Sequence, residues 1–130
     1  MNLQALRQVP FGNFSIRIVK LLGKRYLLVP DQAKMRRVLL KDIVRLEGVR
    51  NYTLIHLTNG EVMISSRTLK VYDYVLEGAD FLRVHKAHLI NMKCLQRYEA
   101  DCMFAVMQNK DKISISRRKR KDFQERIAVK

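Results

Sequence analysis

Cysteine is scarce in this 130-residue chain, and the two present, Cys94 and Cys102, sit in no CxxC or clustered Cys/His spacing. A disulfide framework and a cysteine-based metal cage are therefore excluded as organising devices, and both thiols are read as reduced and structural. Long apolar runs are missing too: no stretch approaches the length of a membrane span, and the opening MNLQALRQVPFGNF lacks the apolar core of a secretory signal. No membrane partner is expected, and the expected location is the cytoplasm. Also absent are the phosphate loop GxxxxGK[ST], the GxSxG elbow and the HExxH helix, so nothing marks an enzyme or calls for a cofactor. His56, His85 and His88 would meet at a metal only through tertiary coincidence. A metallonuclease would need carboxylates converging near a basic groove, yet Glu61, Asp80, Asp101 and Asp111 read as turn or helix-surface residues. Internal repeats, low-complexity tracts and Gly/Ser linkers do not occur.

Acidic residues are the most telling shortage. There are 12 Asp and Glu against 26 Lys and Arg, a net charge of +14. Solubility alone asks for far less, and the economical partner is a polyanion. Nucleic acid comes first, because phosphates neutralised by Lys and Arg release condensed counterions and so give affinity without a special pocket. The five Tyr and five Phe are scattered, which argues against a platform for stacking single-stranded bases. A basic RNA-binding or ribosome-associated protein fits the same charge and size, although no aromatic RNP-type strand and no GXXG clamp is found.

Hydrophobic residues make up 48% of the chain, enough for a packed core and too many for a disordered basic tail. The length fits one domain. Residues 1–13 read as a loosely tied leader, and residues 14–130 as the domain. FSIRIV and RYLLV flank Leu21-Leu22-Gly23-Lys24 and predict a hairpin. Residues 31–37 are polar, and the cluster from Val38 to Leu46, interrupted by Lys41-Asp42, predicts strand, short turn and strand. In YTLIHLTNGEVMIS, Asn59-Gly60 suits a two-residue type I′ turn. That register pairs Leu57 with Val62 and Ile55 with Ile64, and places these four side chains on one core face. Leu69, Tyr72, Val75 and Leu76 recur at helical spacing ahead of Gly78, predicting a helix of roughly three turns. FLRVHKAHLIN, CLQRY, CMFAVMQ and KISIS read as strands, and Phe123 and Ile127 mark the inner face of a short terminal helix.

From about Val38 to Ile127 the chain resembles the LytTR DNA-binding domain. The resemblance rests on ordered blocks: DIVRLEGVRNYTLIHLTNGE, the TLK opening of the helix, FLRVHKAHLIN, and ISISRRKRKDF. Four blocks in the right order and spacing are far more specific than the Asn-Gly turn alone. The resemblance implies a mostly β fold: several small antiparallel sheets packed side by side, one short helix between the middle strands and a short C-terminal helix. It further implies a bacterial, sequence-specific transcription regulator, at work on the nucleoid, that inserts loops into successive major grooves, often at tandem imperfect repeats. Many such domains follow a receiver domain, for which this leader is too short. The protein then either acts alone or takes its input from a separate signalling partner. Tandem sites suit either a homodimer or a cooperative pair formed only on DNA.

By family position, Asn51, Lys86 and Arg117 are the candidates for reading bases. An asparagine amide can pair with adenine, and an arginine fork with guanine O6 and N7. Arg50, Arg83, His85, Arg118, Lys119, Arg120 and Lys121 are candidates for phosphates. Several have a plainer alternative. Asn51 can bond its own loop, Arg83 can form a structural ion pair, His85 can pack as a hydrogen-bonded imidazole, and the basic run can be a solvated surface. Residues 110–121 hold seven basic residues and one acid, Asp111. Ser116 reads as an N-cap, which would put Arg117, Arg118 and Lys119 in a first helical turn, where the helix dipole disfavours cations. A phosphate at that helix start would reverse the sign of the cost.

Overall fold

The structure, a computed structural model, describes residues 7–11 and 14–128, without the side chains of residues 11 and 14. Twelve strands are present among the described residues: β1 (Val9–Phe11), β2 (Phe14–Leu21), β3 (Lys24–Asp31), β4 (Lys34–Leu39), β5 (Ile43–Val49), β6 (Tyr52–Leu57), β7 (Val62–Ser65), β8 (Phe81–His85), β9 (His88–Asn91), β10 (Leu95–Glu99), β11 (Phe104–Met107) and β12 (Lys112–Ser114). Helix α1 (Leu69–Leu76) separates β7 from β8, and α2 (Arg120–Ala128) ends the described chain. The strands form three antiparallel sheets in the orders β1-β2-β3-β4, β7-β6-β5-β9-β8 and β10-β11-β12. The expected mostly β architecture with two short helices is therefore observed.

The central five-stranded sheet has a core on each face. On one side Ile43, Leu46, Ile55 and Leu89 pack with Leu27 and Val29 of the first sheet and with Tyr72 and Leu76 of α1. On the other, Val44, Val84 and Ile90 pack with Met107 and Ile113 of the third sheet and with Phe123 of α2. Two covered faces explain why Ile43-Val44 and Leu89-Ile90 are consecutive apolar pairs and do not alternate. Phe123 is fully buried, its ring meeting Tyr98 edge-on at 4.9 Å. Asn91 crosses between the layers: its buried amide donates to the carbonyls of Leu40 (3.2 Å) and Ile43 (2.9 Å).

Several expectations need correction. The chain is tied in before Phe14, because β1 pairs Val9 with Ile16. Pro10 is tolerated there since β1 is an edge strand and one of its sides needs no N–H. Arg7 adds an ion pair to Glu77 (2.9 Å) and lies over the Tyr74 ring. The polar segment before Val38 is the start of β4, and FLRVHKAHLIN is a hairpin, β8 and β9, turning at Lys86-Ala87. Helix α1 has eight residues, about two turns, with Leu69, Tyr72, Val75 and Leu76 buried as expected and Gly78 at φ +85°.

The largest correction concerns the β6–β7 hairpin. Its loop has three residues, Thr58-Asn59-Gly60, closed by Gly60 N donating to Leu57 O (3.0 Å) and Leu57 N donating to Glu61 O (2.9 Å). Within it Gly60 alone has positive φ, +90°, the pattern of a turn followed by a left-handed residue. Asn59 uses its side chain instead, accepting from Glu61 N at 2.9 Å. Ile55 therefore pairs with Met63, and His56 with Val62. This one-residue slip turns β7 over: Met63 and Ser65 are buried, whereas Val62 and Ile64 are 45% and 69% exposed. A two-residue turn with both φ positive occurs in the β2–β3 hairpin, at Leu22 (+52°) and Gly23 (+80°).

Candidate nucleic-acid interface

Three turns from distant parts of the sequence are linked side by side. The first joins β5 to β6 and carries Arg50, at φ +56°, and Asn51, both exposed. The second is the β8–β9 turn with exposed Lys86, tied to the first by Gly48 N donating to Ala87 O (2.9 Å). The third is a 3-10 turn, Arg117–Lys119, anchored to β8 by Ser116 N donating to Val84 O (2.8 Å). Ser116 stands at the N-cap position, but its side chain makes no capping bond. Helical geometry of the α type begins only at Arg120.

Arg83 organises the second turn. Its Nε donates to His85 O (3.0 Å), Nη2 donates to Lys86 O (2.5 Å), and Nη1 lies 3.4 Å from the Asp73 carboxylate of α1. His85 works in the same turn, its Nδ1 accepting from Ala87 N at 3.0 Å. Among the phosphate candidates these two thus have structural partners. Arg50, Arg117, Arg118, Lys119, Arg120 and Lys121 form no ion pair among the described residues. Arg117, Arg118 and Lys121 are exposed, and Lys119 and Arg120 half-buried.

Lys70 joins this set although sequence reasoning passed over it. It shares a shallow groove with Arg50, Arg83 and Lys86, floored by Gly48 and Leu69. Its signal was available: it is a cation in the first turn of α1, where the dipole opposes it. Gly48 permits the close approach, since a Cβ there would lie 3.2 Å from Leu69 Cβ.

Behind the turns, β5 and its neighbours hold a charged cluster. Arg45 bridges Asp111 (2.8 Å) and Glu47 (3.4 Å), and Glu47 Oε1 accepts from His56 Nε2 at 3.0 Å. Burial raises the Glu47 and Asp111 carboxyls, but their hydrogen bonds to His56 and Arg45 and the Arg45 charge hold both below the ordinary range. His88 is pushed down, first by burial and then by the charges of Arg45 and His85. No group of three or more His, Cys, Asp or Glu placed to hold a metal occurs among the described residues. Nor does any described helix have the length and apolarity to cross a membrane.

The model of the LytTr DNA-binding domain matches residues 33–128. The chain belongs to this family of DNA-binding domains. A solved LytTr domain from Bacillus cereus superposes with a TM-score of 0.66 at 16% identity, over 77% of this chain and 94% of that one. It supports the fold. Two curated relatives from Paraburkholderia xenovorans (strain LB400), the heme-containing CO-sensing transcriptional regulators RcoM 2 and RcoM 1, are 35% and 33% identical over 71 and 72 residues. Those segments are 53% and 54% of this chain but only 26% and 27% of the relatives. The LytTR chain thus matches about a quarter of each relative's length, and heme and carbon monoxide sensing are named for those longer proteins.

Proposed function

We propose that this LytTR domain is the DNA-reading part of a bacterial transcription regulator. Asn51, Lys86 and Arg117 face base edges in successive major grooves, at tandem imperfect repeats. Arg50, Lys70, Arg118, Lys119, Arg120 and Lys121 hold the phosphates between them. The observation that carries this reading is the joining of three basic turns through the Gly48–Ala87 and Ser116–Val84 backbone bonds. Backbone anchoring matters because base readout needs side chains held in fixed register, whereas phosphate attraction alone does not. Arg83 and His85 serve by holding the Lys86 turn. Two copies bind the repeats as a pair that cooperates on DNA.

Selection from random duplex DNA tests the proposal, followed by binding of the selected sequence and a scrambled control at physiological salt. A spaced repeat that outcompetes the control is expected. Tight, salt-sensitive binding with no enriched sequence, or preference for folded RNA, would overturn base readout.

A further inference from the structure

Half of the excess positive charge lies away from the three turns. Between Phe14 and Lys41 there are eight Lys or Arg and one acid, Asp31, a net +7 of the chain's +14. β2 and β3 precede residue 33, where the family match begins. Strand register sorts these cations by face. Ile18, Leu27 and Val38 form a buried row across β2, β3 and β4. The adjacent row, Arg17, Leu28 and Arg37, therefore points the other way. Beyond it, on that same outer face, come Val19, Tyr26 and Leu39, then Lys24 opposite Leu21 at the hairpin end. The Arg37 guanidinium lies 5.6 Å from the centre of the Tyr26 ring. Neutralisation is sparse: of the eight cations Arg36 alone is ion-paired among the described residues, to Asp31 and Glu61.

We propose that the outer face of β2, β3 and β4 is a second DNA-binding surface, which holds the sugar-phosphate backbone of duplex flanking the site read by the three turns. It rests on the reading above for the position of that site. Charge complementarity selects the partner: Arg17, Lys24 and Arg37 stand on this face with no acid in its rows, and such cations repel one another until a polyanion screens them. Shape selects the mode. A major groove admits a helix or a two-stranded ribbon, whereas a face three strands wide meets the backbone from outside and reads no bases. Single-stranded nucleic acid fits less well, because Tyr26 is the only ring in these rows and is already faced by Arg37.

The test uses the full chain and its triple variant Arg17→Gln, Lys24→Gln, Arg37→Gln. The salt dependence of binding is measured on the selected duplex alone and on the same duplex extended by about 10 bp at each end, one helical turn. On the extended duplex the triple variant is expected to lose up to about three units of slope in log K against log salt, near 0.9 for each lost phosphate contact. On the unextended duplex its slope should equal that of the parent. Unchanged slope on both duplexes overturns the proposal, as does an equal loss on both. A loss seen with hairpin RNA but with neither duplex also overturns it. If the triple variant does not fold, Lys24→Gln alone, at an exposed position, gives the same comparison with a loss of about one. Failure of base readout would show separately, as equal binding of selected and scrambled cores by the parent, while the flank-dependent slope is still scored on scrambled duplexes of both lengths.

Discussion

Replacing Arg83 by glutamine separates two roles for a cation beside the Lys86 turn. As a phosphate contact, Arg83 would contribute sequence-independent affinity, and its loss would lower the salt slope by about 0.9 and weaken all duplexes alike. The structure instead shows it donating to the carbonyls of His85 and Lys86 at 3.0 and 2.5 Å, with Asp73 at 3.4 Å behind it and only 22% of the side chain exposed. Hydrogen bonds from charged donors contribute about 1.5–3 kcal/mol each when well buried. One of these faces solvent, so the pair is expected to supply about 2 kcal/mol in all. Arg83→Gln should lower stability by that amount in urea unfolding and loosen the turn that carries Lys86. Fluorescence anisotropy titrations should then show about tenfold weaker binding to the selected duplex, equivalent to about 1.4 kcal/mol. Scrambled duplex should be little affected, and the salt slope should stay unchanged. A slope reduced by about one, with equal losses on both duplexes, would refute the positioning role.

Arg117→Ala should erode discrimination at one base pair by about 1–3 kcal/mol, read from binding to a panel of singly substituted sites. Lys119→Ala should weaken every duplex in that panel about equally and lower the slope by about one. The β6–β7 register is checked by a pair of substitutions. Met63→Ala should cost about 2–5 kcal/mol in urea unfolding, and Ile64→Thr should stay within about 0.5 kcal/mol; the reverse order would restore the two-residue turn. Acid should weaken the fold in a window set by His88, whose folded pKa lies below the ordinary 6.5. The unfolded chain then binds a proton that the folded chain refuses, so stability held above about pH 6.5 is lost as pH falls through the folded value. His88→Gln should flatten that loss below about pH 6.5, and an unchanged profile would remove His88 as its source.

What was legible in the sequence was whatever a side chain decides locally. Leu69, Tyr72, Val75 and Leu76 announced α1 because burial of one helical face needs that spacing. The Phe14–Asp31 hairpin followed from two apolar runs around Gly23. The β6–β7 register was not legible, because Asn59-Gly60 serves a two-residue loop and a three-residue loop equally well. What distinguishes them lies outside the hairpin: Thr58 N donates to Asp42 O at 2.8 Å, which draws Thr58 into the loop. Core membership was the weaker guide there, since Val62 and Met63 are both apolar and either could face inward.

The site shows the same division. Arg117 to Lys121 stood out as a dense basic run, and the structure leaves all five without an ion pair among the described residues. Composition could not tell Arg83 from Arg50, which are equal as charges. They differ in what surrounds them: Arg83 faces two carbonyls and a carboxylate at the waist of a hairpin, whereas Arg50 sits exposed at a turn in the left-handed region. A basic residue becomes a candidate DNA contact only when the fold leaves it no internal work. By that criterion Lys70 gains and Arg83 recedes, and on the outer face of β2 to β4 the exposed Lys24 meets it most fully, since Arg17 donates to Ser15 O and Arg37 lies over the Tyr26 ring.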